Sequence, residues 1–389
     1  MKIFNKNEWK KVKLGDVFDL QMGKTPLREN KLYWDKGEYH WISISDMNFS
    51  EKYISSTKEK ITELAVKKSG IKIIPKNTVI MSFKLSIGKV KIVNEDIYSN
   101  EAIMAFIPKT NNFIDENFLY YSLKGVRWNE GINKAVKGLT LNKALISQKE
   151  IFLPNLAIQQ EIASNLDSIA DFLDLRRKQL NYLKELNKSL FTKIFGDPLL
   201  NDKKEWNFFK IKDIGKIISG STPSTNIPEY WNGEYLWITP AELNDDSFII
   251  NSTNRKLTYL GVKASSLIEL PIGTVLLSSR APIGKVAIVG ENMFCNQGFK
   301  NIIPNETINS IYLYYVFKEK KEYLNFLGRG ATFKELSKEI VENISIKVPP
   351  IELQNKFAER IEKIEKLKFI FGSPLISTNL KNSHKKVSA

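Results

Sequence analysis

Apolar residues between positions 162 and 194 recur at alternating spacings of four and three residues. This spacing is typical of the apolar seam of a coiled coil, and it predicts a helix over residues 156–196 that ends at Gly196. At about 1.5 Å per residue, the helix is roughly 60 Å long. Arg176 and Asn187 interrupt the seam, where a polar residue fixes helix alignment at a cost in stability. The apolar seam residues are Ile162, Leu166, Ile169, Leu173, Leu180, Leu183, Leu190 and Ile194.

The same spacing returns after residue 350 and predicts a second helix over residues 351–372, about half as long as the first. Residues 373–389 have no periodicity, which predicts a disordered tail. Because the second helix is short, we expect residues 173–194 of the first seam to have no partner within the chain. A second protein, or a second copy of this chain, would cover such an apolar surface.

A segment of about 150 residues with a different pattern precedes each helix. Short runs rich in β-branched residues, such as 78–83 and 89–94, predict strands, and Gly88 between them predicts a tight turn. Residues 115–126 and 310–321 carry aromatic residues at helical spacing and predict amphipathic helices. The mixture predicts an α+β fold.

The two halves of the chain repeat each other with a period of about 195 residues. Residues 9–26 align with residues 206–223 without a gap. Residues 75–108 share 14 identities in 34 positions with residues 271–304, and shorter matches follow in the same order. A period of this length indicates a duplicated domain with its linker.

This organisation predicts two globular domains and two helices that pair to bury their seams. Antiparallel pairing would place the domains at opposite ends of the helices, related by a pseudo-twofold axis, which suits an object such as duplex DNA. The predicted parts are a first domain over residues 1–155, a spacer helix over 156–196, a second domain over 197–350, a short spacer helix over 351–372 and the tail over 373–389.

The charge of the chain favours a polyanionic partner, above all nucleic acid. There are 58 basic and 43 acidic residues, for a net charge of +15. Residues 1–155 carry +9, whereas residues 196–350 carry +1. No apolar run reaches the length of a membrane span and no apolar signal segment opens the sequence, so we expect a cytoplasmic protein that does not act at a membrane.

Residues suited to catalysis or metal binding are few. A lone cysteine, Cys295, excludes an intramolecular disulfide and a cysteine-rich zinc site, and two histidines, His40 and His384, argue against imidazole chemistry. Motifs of nucleotide-binding loops, methyltransferases, metalloproteases and serine hydrolases are missing. The sequence therefore predicts a binding protein without cofactor or metal rather than an enzyme.

Several motifs recur in both halves in the same order. The first is Gly-x-Thr-Pro, at residues 23–26 and 220–223. Next come Tyr-Trp, then Trp-Ile, and then a block that ends in Ile-Gly-Lys-Val. Gly-x-Thr follows, then a segment with proline and glutamine, and finally a long helix. Gly-x-Thr-Pro alone is a weak signal, but the ordered set occurs twice and covers residues 9–371. In this the chain resembles the DNA-specificity (S) subunit of type I restriction–modification systems.

The resemblance implies two target recognition domains, each reading one half of a split, asymmetric sequence in double-stranded DNA. It implies that the paired helices set the gap and dock two modification subunits, which carry adenine N6 methylation from S-adenosylmethionine, and that restriction subunits join the complex. The S subunit itself is non-catalytic. Its two helices are usually similar in length, so the short second helix leaves open whether both modification subunits dock normally or the chain self-associates through its spacer helices.

Loops at matching positions of the two halves supply the candidate DNA contacts, because base readout needs donors and acceptors in a groove and phosphate contacts need cations or hydroxyls. For Thr25 and Thr222 a turn-capping role is an equal alternative, and Trp41 and Trp237 are expected in the core. The candidates are Lys24, Thr25, Arg28, Ser43, Ser45, Ser82, Lys84, Lys89, Lys137 and Thr140 in the first half, and Ser221, Thr222, Ser224, Thr239, Ser278, Arg280, Lys285, Arg329 and Thr332 in the second.

Two other functions are compatible with the sequence. The chain could be a coiled-coil scaffold whose duplicated domains bind a protein or another acidic partner, or a DNA enzyme with an unrecognised site. A gel shift with mixed DNA, with and without a modification subunit, separates the scaffold from the DNA reader. Methylation and nuclease assays of the isolated chain test the enzyme.

Overall fold

The computed structural model describes residues 9–84, 86–110, 114–128, 141–200, 206–328 and 335–372. They form two compact units that divide between Asp174 and Leu175, within one long helix. The tail expected over residues 373–389 lies outside the described residues.

The first unit is a mixture of short strands and helices that leads into the long helix. Its elements are β1 (Lys10–Lys13), α1 (Leu14–Val17), β2 (Phe18–Met22), β3 (Tyr39–Ile42), β4 (Tyr53–Ile54), β5 (Glu59–Ile61), α2 (Glu63–Ser69), β6 (Val79–Ser82), β7 (Val90–Val93), β8 (Tyr98–Ser99), β9 (Ile103–Pro108), α3 (Glu116–Gly125), α4 (Lys143–Gln148), β10 (Glu150–Leu153) and α5 (Leu156–Phe195), of which the last part belongs to the second unit.

The second unit repeats this series with one more helix, Lys321–Leu327, and closes with a shorter helix. Its elements are β11 (Phe208–Lys210), α6 (Ile211–Ile214), β12 (Gly215–Ser219), β13 (Trp231–Ile238), β14 (Ile249–Ile250), β15 (Arg255–Leu257), α7 (Tyr259–Ala264), β16 (Val275–Leu277), β17 (Val286–Val289), β18 (Phe294–Cys295), β19 (Lys300–Pro304), α8 (Ser310–Glu319), α9 (Lys321–Leu327), α10 (Lys338–Asn343), β20 (Ser345–Lys347) and α11 (Ile351–Gly372).

Sheet topology repeats strand for strand. The order β2-β9-β6-β7-β4 in the first unit corresponds to β12-β19-β16-β17-β14 in the second, and β5-β3-β8 corresponds to β15-β13-β18. A two-stranded ribbon completes each unit, β1 with β10 and β11 with β20. Both units therefore have an α+β fold, and the duplication inferred from the sequence is present in the pairing of every strand.

Each five-stranded sheet is buried on both faces. In β6, Val79 and Met81 belong to the cluster that contains Leu119 of α3, whereas Ile80 faces a second cluster on the other side of the sheet. Such a strand reads as a continuous apolar run because neither face meets water. Asp115 accepts a hydrogen bond from the first turn of α3 and fixes where this covering helix begins.

The second part of α5 packs against α11 within the second unit. The ring of Phe195, at the end of α5, lies 5.1 Å from the ring of Phe357 near the start of α11. The guanidinium of Arg176 lies 5.8 Å from the ring of Phe371 at the other end of α11. The order of the contacts is opposite in the two helices, so they run antiparallel, as expected from the sequence.

The expectation that residues 173–194 have no partner is wrong for most of that stretch. Leu190 and Ile194 pack against the core of the second unit. The reason is the ribbon of β11 and β20, which joins the chain leaving α5 to the chain entering α11 and so brings the end of one helix to the start of the other. Apolar residues of α5 that stay exposed include Ile169, Leu173 and Leu175 earlier in the helix and Leu186 within the stretch.

Asn187 is one of the two polar seam residues that contact α11, and Arg176 is the other. Asn187 is buried, and its Nδ2 donates to Glu365 Oε1 at 2.8 Å. We expect Asn187→Ala to lower the free energy of unfolding by about 1–3 kcal/mol, because the partly buried carboxylate of Glu365, which Lys368 also contacts, loses one of its donors. Urea unfolding of Asn187→Ala, Glu365→Ala and the double variant measures the coupling, and a coupling energy near zero would show that the bond does not contribute.

Candidate nucleic-acid interface

Two tryptophan side chains hold the Gly-x-Thr-Pro loop of the first unit. Trp41 Nε1 donates to the carbonyl oxygen of Lys24 at 3.1 Å, and Trp34 Nε1 donates to that of Leu27 at 3.2 Å. The two indoles pack edge to face with ring centroids 5.1 Å apart. The loop backbone is therefore fixed on both sides of its Thr-Pro pair.

The second unit holds its Gly-x-Thr-Pro loop with an equivalent pair of tryptophans, and we call each such pair with its two loop hydrogen bonds the clamp. Trp237 Nε1 donates to the carbonyl oxygen of Ser221 and Trp231 Nε1 to that of Ser224, each at 3.1 Å. The indole centroids are 5.0 Å apart. Trp41 and Trp237 are buried, as expected from the sequence, but the sequence did not show that their N–H groups hold the loop.

Glycine opens each loop because the backbone passes directly over the chain that ends β8 or β18. A Cβ on Gly23 would lie 2.1 Å from the carbonyl oxygen of Ser99, and one on Gly220 would lie 2.0 Å from that of Cys295. No side chain fits in this space. Cys295 itself is buried, and burial raises the pKa of its thiol to about 12, which fits a structural thiol rather than a nucleophile.

The threonine of each loop is bonded within its own unit. Thr25 Oγ1 donates to the carboxylate of Glu101, and Thr222 Oγ1 donates to Gln297 Oε1. Each hydroxyl thus donates its proton to a side chain of its own unit and helps to hold the loop.

Glu101 brings two of the candidate loops of the first unit together. It accepts from Thr25 and lies within the electrostatic influence of Lys84 and Arg28. Partial burial opposes ionisation of this carboxyl group, but the hydrogen bond from Thr25 and the two positive charges outweigh it and hold the pKa of Glu101 below its ordinary value. The amide of Phe83 donates to the carbonyl oxygen of Ala102 at 2.9 Å, so the Gly-x-Thr-Pro loop and the segment before the Ile-Gly-Lys-Val turn both lie beside Glu101.

The Ile-Gly-Lys-Val turns have the conformation expected from the sequence. Gly88 and Gly284 have φ angles of +84° and +83°, which residues with a Cβ rarely adopt. In the second unit, Ser278 Oγ donates to the carbonyl oxygen of Pro282 at 2.8 Å and accepts from the amide of Lys285 at 2.8 Å.

Ser82 makes the same two bonds in the first unit, to the carbonyl oxygen of Ser86 and from the amide of Lys89. Ser82 and Ser278 are both fully buried. The expectation that these two side chains contact DNA is contradicted by their burial, because their hydroxyl groups shape the turn from inside.

The lysines of the two turns connect each turn to the loop after β3 or β13. Lys285 Nζ donates to the carbonyl oxygens of Pro240 at 3.1 Å and Leu243 at 2.6 Å, and Lys89 Nζ donates to Asn48 Oδ1. Both lysines are half-buried. Two of the three N–H donors of Lys285 are thus already used within the protein.

An acidic residue orders the loop after β3 and its counterpart after β13. Asp46 is fully buried and accepts from the amide and the hydroxyl of Ser43 at 2.8 and 2.6 Å. Ser43 Oγ also lies 2.8 Å from the exposed Ser45 Oγ. In the second unit, Glu242 accepts from the amide of Thr239 at 3.0 Å. The candidate hydroxyls of these loops are therefore held in fixed positions.

Arg280, at the position equivalent to Lys84, is half exposed and ion-paired. Its Nε lies 3.0 Å from Glu335 Oε2, and the largely buried Lys300 approaches the other carboxylate oxygen at 3.3 Å. This carboxylate orients the guanidinium at the surface of the second unit.

The remaining candidates differ in exposure. Lys24, Arg28 and Ser224 are exposed, and Ser221 is half-buried. Lys137, Thr140, Arg329 and Thr332 lie outside the described residues.

Three features of these surfaces were not predicted from the sequence. They are Trp34 and Trp231, which bond the loop after its Thr-Pro pair, Glu101 and Gln297, which accept from the loop threonines, and Arg255. Arg255 lies in β15, and its guanidinium lies 3.6 Å from the ring centroid of Trp231. The Tyr-Trp pair that recurs in both halves was the available signal for Trp34 and Trp231.

In the described part of the chain, no group of three or more His, Cys, Asp and Glu side chains is arranged to hold a metal ion. Among the same residues, no helix combines the length and the apolar character that crossing a membrane requires.

A family model described as the type I restriction modification DNA specificity domain matches the chain twice, over residues 6–185 and 203–371. Among similar proteins, the MjaIX specificity subunit of Methanocaldococcus jannaschii is 48% identical over 158 residues, 40% of this chain and 37% of that protein. The MjaVIII specificity subunit of the same organism is 27% identical over 394 residues, 92% of this chain and 87% of that protein.

The EcoR124I/EcoR124II specificity subunit of Escherichia coli is 28% identical over 245 residues, 57% of each chain. The chain thus spans between about a third and somewhat over half of the length of several relatives that it matches. A crystal structure of a type I restriction-modification S subunit from M. genitalium has the same fold, with a TM-score of 0.61 and 16% identity, over 96% of this chain and 93% of that one. With a family model matched in both halves, and with the same fold built twice, the chain belongs to the family of type I restriction–modification DNA-specificity subunits.

Proposed function

We propose that this chain reads a bipartite, asymmetric DNA target for a type I restriction–modification complex, with one half-site for each unit. One observation carries the proposal: the same clamped Gly-x-Thr-Pro loop is built in both units, but it presents different side chains. The exposed Lys24 in the first unit corresponds to Ser221 in the second. A shared support with different exposed groups is what two readers of different sequences require.

The support gives these loops little freedom, which favours specific binding. Each loop is tied by two indole N–H groups and one threonine hydroxyl, so its backbone is ordered before any partner arrives. Less conformational entropy is then lost on binding. The net charge of +9 over residues 1–155 supports a larger role of the first unit in phosphate contacts.

The helices are proposed to recruit the other subunits. Ile169 and Leu173, in the part of α5 that belongs to the first unit, are about half exposed, and such apolar residues are of the kind that protein partners cover. We assign them to a modification subunit, which would supply the methylation chemistry, with restriction subunits joining the complex. Self-association through the helices is the alternative, and light scattering of the chain with and without the modification subunit distinguishes the two.

Modular readout is the test of the proposal. We expect Arg280→Ala to relax base preference in one half of a split motif by about 1–3 kcal/mol, because an arginine that bonds a guanine edge discriminates by this amount. Lys84→Ala, at the equivalent position of the first unit, should leave that half intact. The measurement is the methylation profile of the complex reconstituted with each variant.

A phosphate contact would behave differently at either position. It would weaken all sequences alike and reduce the slope of affinity against salt by about one. If Arg280→Ala altered bases in both halves, or if the wild-type motif were one continuous block, the two-reader proposal would be wrong. DNA binding without sequence preference would instead favour a scaffold that binds acidic partners.

A further inference from the structure

A guanidinium group lies over the paired indoles in both units, but it comes from different places in the chain. In the first unit, Arg28 of the Gly-x-Thr-Pro loop lies 4.0 Å from the ring centroid of Trp34 and 4.7 Å from that of Trp41. In the second unit, Arg255 lies 3.6 Å from Trp231 and 5.1 Å from Trp237. The clamp thus keeps its cation while the residue that supplies it changes.

Arg255 corresponds in position to Glu59. Glu59 pairs with Trp41 across β3 and β5, and Arg255 pairs with Trp237 across β13 and β15. A threonine two residues earlier donates to the carbonyl oxygen of each, at 2.6 and 2.7 Å. The backbones are therefore equivalent, and the side chains differ in the sign of their charge.

In the first unit the carboxylate of Glu59 occupies the hydrogen-bond donors of the guanidinium of Arg28. Arg28 is bonded through both Nη atoms to the two carboxylate oxygens of Glu59, with Nη2 to Oε2 at 3.1 Å. The parallel pair of bonds uses the N–H edge of the guanidinium, which is the edge that would otherwise bond a carboxylate, a phosphate or a guanine base. Arg28 is therefore engaged in holding its own unit together.

In the second unit the guanidinium of Arg255 is available to bind a partner. Arg255 is exposed, and among the described residues its N–H groups have neither a carboxylate nor another hydrogen-bond acceptor. Stacking on Trp231 limits the motion of the guanidinium, so less entropy is lost when it binds. Trp231 also holds the Gly-x-Thr-Pro loop through Ser224, which places Arg255 beside that loop.

We infer that Arg255 reads a guanine of the target through two parallel hydrogen bonds to O6 and N7, whereas Arg28 has a structural role in the first unit. The inference rests on the proposed function and names a contact that determines specificity within it. A base contact is favoured over a phosphate contact because the two units share the pair of indoles and the strand backbone beneath it but differ in this side chain. A phosphate is present in every sequence, so a contact to it would suit both units alike.

The experiment uses the full-length chain and a pool of randomised duplex DNA, and it sequences the duplexes that are retained. We expect the wild-type chain to enrich a split motif. Arg255→Ala should lose the preference for one G·C pair in one half, by roughly 5- to 150-fold. Arg255→Lys should lose the same preference while keeping its overall affinity, because an ammonium group keeps the charge but cannot make the two parallel bonds.

Arg28→Ala is the matched control, since it removes a guanidinium from the same clamp in the first unit. It should lower the melting temperature and leave the preference for that G·C pair unchanged. Uniform weakening of all sequences by Arg255→Ala would identify a phosphate contact and overturn the inference, as would an unchanged motif in Arg255→Lys. A wild-type chain that enriches no motif would overturn the proposed function itself.

Discussion

Replacing Phe195 by alanine is expected to lower the free energy of unfolding of the second unit by about 3–5 kcal/mol. Phe195 is almost completely buried, and its ring lies 4.7 Å from that of Tyr312 and 5.1 Å from that of Phe357. These contacts join the end of α5 to the core and to the start of α11. The loss is a large share of the 5–15 kcal/mol that stabilises a typical domain.

Urea unfolding followed by tryptophan fluorescence measures this effect, because Trp206 lies 6.0 Å from the ring of Phe195. Tyr182→Ala is the control: this aromatic residue lies on the same helix and within the second unit but is 73% exposed, so we expect a change within about 0.5 kcal/mol. Equal effects of the two substitutions would mean that the aromatic cluster does not hold α5 to the second unit.

The elements with one-sided or complete burial could be predicted from the sequence. The run over residues 78–83 contains β6, and the aromatic run over residues 115–126 contains α3. The position of the helix contacts could not be predicted in the same way. The seam shows which face of α5 is buried, but the ribbon of β11 and β20, formed by segments 135 residues apart, decides which part of that face meets α11.

The sequence predicted which segments form the surface loops, but not the hydrogen bonds that hold them. Recurrence of Gly-x-Thr-Pro and of the tryptophans pointed to the right segments, yet the sequence does not show that Trp41 Nε1 meets the carbonyl oxygen of Lys24. The same limit applies to Ser82, which looks like a surface hydroxyl in sequence and is buried in the turn. Arg255 was detectable: Ser-Thr-x-x-Lys recurs at residues 56–60 and 252–256, and its fourth position changes from glutamate to arginine.

Replacing Gly220 by alanine is expected to abolish recognition of the half-site that we propose the second unit to read. The added methyl group would lie 2.0 Å from the carbonyl oxygen of Cys295 and 2.4 Å from that of Asn296. Both neighbours are backbone atoms next to a buried strand, so the loop must move, at a cost above the roughly 1–3 kcal/mol of ordinary overpacking. Since 1.4 kcal/mol is a factor of ten, we expect at least a roughly tenfold loss of affinity for the complete motif.

Selection from randomised duplex DNA measures the result. Gly220→Ala should retain the motif half that the first unit reads, and Gly23→Ala should retain the other half, because its Cβ meets the equivalent obstacle at 2.1 Å. Gly372→Ala is the control, since no atom lies within 4 Å of the added Cβ at the end of α11, and we expect the full motif and wild-type affinity. If Gly220→Ala also kept the full motif, the clamped loop would not position the residues that read DNA. If either loop substitution erased both halves, the two units would depend on each other for binding and could not be separate readers.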